Sequence, residues 1–210
     1  EEDLAAPDFP KANATSSRTM EHYRRRGFAK RVRALGLAAD HPQDIIYGIT
    51  LAGRELARFS IPSREQVGAR TAFGDYGEES WPTPELPHRG QQMYIEPVLR
   101  EQALTYPSVK LLLGLQAQAI VMDDHGVTVT TRHAVTHQHV DYRAAYVVGC
   151  DGPRSLVRKS CGISYSGLSE EARDFFGGQM VSVYFRSASL YSVLDKKRAW
   201  QYWAVNTRQR

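Results

Sequence analysis

The chain is poor in sulfur and has no long apolar run. Cys150 and Cys161 are the only two cysteines in 210 residues. They form no C-x-x-C pair, and two thiols make no disulfide framework. A reduced, cytoplasmic protein is therefore expected. Every apolar stretch is far shorter than a bilayer-spanning helix needs, so no membrane partner is expected. Glu1-Glu2-Asp3-Leu4 has neither the basic start nor the apolar middle of a signal peptide. There are no repeats and no low-complexity tracts. The first residue is Glu1 rather than Met, which predicts a fragment or a processed form.

What is present is ordinary for a folded protein. Apolar residues make up 42% and charged residues 24%, enough to bury a core and still cover it with polar groups. The formal charge of +4 has two readings: a solvated surface, or a site for anionic ligands such as nucleotide phosphates. Lys and Arg are dispersed and no zinc-finger spacing occurs, so no nucleic-acid partner is expected. His133, His137 and His139 cluster near one turn, but no Cys or carboxylate completes a metal set. No metal site is expected.

The pattern of elements is mixed α/β (α+β). Residues 1–15 read as a loop, and Ser16 or Ser17 offers a helix N-cap. Residues 18–35 read as a helix broken at Gly27, with Gly36 as its stop. Residues 45–50 and 55–61 read as strands around Ala52-Gly53. Residues 62–91, with Pro62, Pro82, Pro84 and Pro87, read as one long loop. A helix over 95–105 carries Pro97 in its first turn, and a short strand over 109–113 follows. Asp123-Asp124-His125-Gly126 joins strands 115–122 and 127–132 as a hairpin, with 140–142 as a third meander strand. A buried strand over 146–149, a short helix over 154–161 and strands over 180–185 and 200–205 complete the reading.

The segment Tyr146-Val147-Val148-Gly149-Cys150-Asp151-Gly152-Pro153-Arg154-Ser155-Leu156-Val157-Arg158 concentrates the chemistry. An apolar run of β-formers ends in Asp-Gly and then turns into a helix. That places Asp151 at the carboxyl end of a strand, where open α/β sheets bind ligands. The carboxylate either accepts from ribose hydroxyls or caps the following helix. Arg154 and Arg158 stand four apart and share a helix face, meeting either phosphates or water. The G-x-G-x-x-G turn that opens a dinucleotide-binding fold is absent.

The pattern Gly149-Cys150-Asp151-Gly152-x-x-Ser155-x-Val157-Arg158 resembles the Asp-Gly motif of the flavoprotein aromatic hydroxylases, the para-hydroxybenzoate hydroxylase-like group. In that group the motif contributes to both FAD and NADPH binding. Two more segments carry the resemblance in the same order. Pro10-Lys11-Ala12 through Arg18-Thr19-Met20-Glu21 is similar to the Pro-Arg-Ala…Arg-Thr-Met-Glu segment, with Lys11 where Arg is common. Lys keeps the charge but loses the guanidinium's bidentate geometry. Gln92-Met93-Tyr94-Ile95-Glu96-Pro97-Val98-Leu99 is similar to the segment whose Gln amide lies beside the flavin, with Gln91 as a neighbouring candidate. The phenol and hydroxyphenylpropionate hydroxylase branch is the nearest.

The resemblance implies an incomplete FAD-binding, Rossmann-like domain with a three-stranded β-meander, plus part of a β-sheet substrate domain. Residues 1–44 and 91–163 are expected in the FAD-binding domain, and 45–90 and 164–210 in the substrate domain. Glu1 is implied as the acid that binds the ribose, which would put the missing glycine turn upstream. The implied cofactor contacts are Glu1, Lys11, Arg18, Gln92, Asp151 and Gly152. The implied reaction is hydroxylation of a small phenol-like aromatic substrate with NAD(P)H and O2 through a C4a-hydroperoxyflavin. It needs no nucleophile or metal ligand from the protein, and no catalytic base is identified. A related flavoprotein epoxidase, halogenase or reductase stays open, as do a truncated non-catalytic binding module and a homodimer.

Overall fold

Ser16 has extended backbone angles, and its hydroxyl accepts from Thr19 N at 3.3 Å, which starts helix α1 (Ser17–Arg25). Gly27, at φ +83°, separates α1 from helix α2 (Ala29–Arg33). Met20 and Val32 are fully buried and meet Phe28, Ala29 and Ile95 in one core cluster. Burial of side chains of this size contributes about 1.5–3 kcal/mol each. The Tyr23 and Phe28 rings lie 4.8 Å apart at its edge.

The computed structural model describes residues 3–70, 83–167 and 181–205. The chain divides into two compact units. One comprises Pro7–Leu99 with Asp174–Arg210, the other Glu1–Ala6 with Arg100–Arg173.

In the first unit, strand β1 (Ala14–Thr15) precedes α1 and pairs antiparallel with β4 (His88–Arg89). Strand β2 (Ile45–Gly48) pairs antiparallel with β3 (Glu55–Phe59) and parallel with β8 (Gln201–Ala204). Asp44 joins all three. Its carboxylate accepts from Arg58 at 2.9 Å and from Ile61 N at 3.1 Å, and its carbonyl accepts from Trp200 N and Gln201 N. Ile46 is 1% exposed on one face of this sheet. On the other, Tyr47 stacks beside Trp203 at 6.0 Å and meets Phe59 edge-on at 5.7 Å. Helix α3 (Arg64–Arg70) follows β3, α4 (Gln92–Leu104) follows β4, and α6 (Leu190–Leu194) precedes β8.

In the second unit, β5 (Leu115–Asp123), β6 (Gly126–His133) and β7 (His139–Ala144) form the expected antiparallel meander. Asp123 holds its hairpin by accepting from His125 N and from Arg143. Helix α5 (Leu156–Ser160) packs on β5.

Several expectations are corrected. Residues 62–91 are not one loop, because they contain α3 and β4. Ser63 and Gln66 bond reciprocally through side chain and backbone N–H, a capping box legible as Ser-x-x-Gln. Helix α4 begins at Gln92 rather than residue 95, so Pro97 lies inside it and has no N–H for the Met93 carbonyl. Residues 109–113 form no strand. Nor do 146–149: Tyr146 is 88% and Val148 82% exposed. β-propensity alone does not make a strand, since a neighbour must take up the backbone groups, and none of the described strands pairs with this segment. Residues 181–185 are likewise unpaired, while Met180 lies outside the described residues.

Candidate functional site

Gln92 opens α4 and lines a groove of about 450 Å³ in the first unit. The first turn of α1 lines the same groove through Ser16 and Thr19. Ala12 and Ala14 line it with methyl groups and Gly90 with bare backbone, and Glu96 follows Gln92 by one helical turn. Backbone bonds hold the walls together: Gln92 N donates to Ala12 O at 2.7 Å and Gly90 N to Asn13 O at 3.1 Å. The Gln92 amide has only a long contact, 3.4 Å, to Glu96 Oε2. Next to these lining residues in sequence, Ser17 Oγ and Gln91 Oε1 are buried without hydrogen-bond partners. The groove therefore offers an amide that donates and accepts, a carboxylate suited to hydroxyls, and the positive end of a helix. Such a donor set fits a ligand carrying a heteroaromatic edge, hydroxyls and phosphates.

Lys11 and Arg18 are the two cations that the resemblance implies as cofactor contacts. Lys11, next to lining residue Ala12, is exposed with its Nζ 5.4 Å from the Phe9 ring centroid. Arg18, in the first turn of α1, pairs with Glu21 at 3.0 Å. Neither side chain is among the groove-lining residues. Glu1 lies outside the described residues. The sequence reading passed over Ser16 and Thr19 as lining residues, and Glu96. Their signals were the N-cap itself and the four-residue spacing from Gln92.

Asp151 and Gly152 lie in the second unit. Asp151 accepts from Ser155 Oγ at 2.5 Å, from Leu156 N at 2.6 Å and from Val157 N at 3.3 Å. These bonds, led by the Ser155 hydroxyl, hold its pKa below the ordinary carboxylate value. Of the two readings of Asp151, capping is realised. Gly152 has φ +76° and open space around it, so it turns the chain where L side chains are strained. Gly149 serves packing instead, since a Cβ there would lie 2.6 Å from Val157 Cβ. Asp151 and Arg154 line a groove of about 830 Å³ with Gln116, Ala117, Val148 and Cys150.

Arg154 and Arg158 do not share a helix face, because Arg154 precedes α5. Arg158 is committed to its own loop. It donates to Pro153 O at 2.6 Å and Ile163 O at 3.3 Å, and lies 4.2 Å from the Tyr165 ring centroid. Among the described residues, no group of three His, Cys, Asp or Glu side chains is placed to hold a metal ion. His133 instead accepts from Val135 N and Thr136 N within its turn.

Comparison with known proteins gives these grooves a context. Residues 2–210 match the model of the FAD binding domain family. The chain is 27% identical over 207 residues to the FAD-dependent monooxygenase apdD of Emericella nidulans, covering 98% of this chain and 32% of that protein. It is 30% identical over 154 residues to the phenol 2-monooxygenase of a Pseudomonas strain, covering 73% of this chain and 24% of that enzyme. Among solved structures, the flavin-dependent monooxygenase PieE in complex with FAD and substrate aligns with a TM-score of 0.65 at 26% identity. That alignment covers 78% of this chain and 27% of PieE. The chain thus spans about a third or less of the length of these relatives. With the family model matched over nearly every residue, the chain belongs to the FAD-binding domain family.

Proposed function

We propose that the chain holds FAD in the Gln92 groove, as part of a monooxygenase that hydroxylates a small phenol-like aromatic substrate with NAD(P)H and O2. The observation that carries this reading is the groove itself, which Gln92, Ser16 and Thr19 of the first turn of α1, and the small residues Ala12, Ala14 and Gly90 line together. Bound flavin would accept a hydride from NAD(P)H and activate O2.

The protein's part is positioning. Gln92 donates to and accepts from the edge of the flavin ring. The first turn of α1, with the charges of Lys11 and Arg18, favours the diphosphate. Glu96 accepts from hydroxyls, because its charge opposes phosphate. In the second unit, Asp151 and Gly152 order the loop ahead of α5, and that loop contributes nucleotide contacts. Glu1 is the proposed ribose acid. Residues 1–44 and 91–163 form the cofactor part and the remainder the substrate part. The open sheet face bearing Tyr47, Phe59 and Trp203 suits a flat apolar ring. The free thiols Cys150 and Cys161 support a reducing, cytoplasmic setting. Among the described residues, no helix is long and apolar enough to cross a membrane.

Purification of the full-length protein tests the proposal. A yellow protein whose NAD(P)H oxidation and O2 uptake rise with added phenols is the expected result. A colourless protein that takes up no added FAD overturns it.

A further inference from the structure

The guanidinium of Arg89 lies over the indole of Trp200, 3.7 Å from the ring centroid. Its Nε also reaches Gln43 Oε1 at 3.5 Å. Both partners are uncharged, and the half-buried site pushes the guanidinium pKa down by desolvation. A charge kept out of water over an aromatic face is a specific arrangement rather than a solvated surface cation.

The two ends of this contact belong to different parts of the first unit. Arg89 pairs with Ala14 in the β1–β4 ladder. Its neighbours Gly90 and Gln92 bond to Asn13 and Ala12. Ala12, Ala14, Gly90 and Gln92 all line the groove. Leu37 N donates to the Arg89 carbonyl at 3.1 Å, which fixes the backbone from the other side. Trp200, by contrast, belongs to the sheet. Its N–H donates to the Asp44 carbonyl at 2.9 Å, and the next residue begins β8. One planar side chain thus bridges the wall of the groove and the strand that carries Trp203.

We propose that Arg89 is a positioning residue that couples the Gln92 groove to β8 through the Trp200 ring, so that FAD in the groove steadies the sheet on the substrate side. This inference rests on the FAD reading above. Coupling of this kind is reciprocal. A cation–π contact of intermediate exposure sets its size at about two- to thirtyfold in an equilibrium constant. Lys is a weaker substitute, since its point charge does not stack on an indole as the guanidinium plane does.

Hydrogen exchange on the full-length protein, with and without saturating FAD, tests this. In the wild type, FAD is expected to slow exchange in residues 90–95 and also at the Trp200 and Gln201 amides. Arg89→Lys and Trp200→Leu should keep the first effect and lose the second, by about two- to thirtyfold. Trp200→Phe, which keeps an aromatic face, should behave as the wild type. If the Trp200 and Gln201 amides are slowed equally in Arg89→Lys, or not at all in the wild type, the coupling is overturned. If residues 90–95 of the wild type do not respond to FAD, the cofactor reading fails as well, and that outcome is distinct from loss of coupling alone. A lower thermal midpoint in Arg89→Lys with both FAD effects intact would mark Arg89 as a fold strut only and overturn the proposal.

Discussion

The Ser155 hydroxyl donates to Asp151 Oδ1 at 2.5 Å and accepts from Arg158 N at 2.9 Å, so two side chains cap α5 in series. Asp151 satisfies Leu156 N and Val157 N, and Ser155 satisfies Arg158 N. Ser155→Ala is expected to cost about 1 kcal/mol in urea denaturation, the usual worth of an N-cap. The Asp151 pKa is lowered in the folded state. Its contribution is therefore complete above the unfolded carboxylate value and lost as pH falls through the folded one. An acid titration followed by exchange at the α5 amides should show that loss. Asp151→Asn should flatten it.

The Gln92 amide faces the groove with only a long contact to Glu96. Gln92→Ala in the full-length protein is expected to weaken FAD binding about fivefold, the equivalent of about 1 kcal/mol for one net hydrogen bond. Flavin fluorescence titration measures it. Gln91→Ala is the comparison: its Oε1 is buried without a partner, so removing it should leave FAD affinity within about twofold and raise stability slightly.

Arg58 bridges Glu55 and Asp44, both at 2.9 Å, and its side chain is 17% exposed against 6% for Asp44. Arg58→Ala leaves Asp44 charged and largely buried. A loss of about 3–5 kcal/mol is expected in chemical denaturation. Because Asp44 also anchors Ile61, Trp200 and Gln201, exchange at the β8 amides should rise in the same variant.

His88 is 3% exposed, and its Nε2 has no partner. Burial lowers its pKa from the usual 6.5. The unfolded chain therefore binds a proton more readily than the folded one. Stability from this residue is complete above the unfolded value near 6.5 and declines as pH falls toward the folded value. The thermal midpoint of the wild type should drop across that window. His88→Gln should show a shallower slope, whatever its absolute stability.

Local pattern was enough for the helices and hairpins that close within a few residues. The meander needed only alternation around Asp123-Asp124-His125-Gly126, and the break in the first helix needed only Gly27. Gln92 and Asp151 stand out in the sequence through the motifs that resemble the flavoprotein hydroxylases, while the turn chemistry around Asp151 by itself announces only the cap of α5. Glycine and serine at fixed offsets carried that information.

What tertiary structure decided is long range. Tyr146-Val147-Val148 has the composition of a buried strand, yet composition cannot supply a hydrogen-bonding neighbour. In sequence Arg158 can meet either phosphates or water, but folding brings the Pro153 and Ile163 carbonyls and the Tyr165 ring to it. The parallel pairing of β2 with β8 joins residues separated by some 150 positions, and no periodicity announces it. Arg89 and Trp200, far apart in sequence, meet only in the folded chain. Sequence sets which groups can bond and where the chain turns, while closure of distant segments determines which partner each group finds.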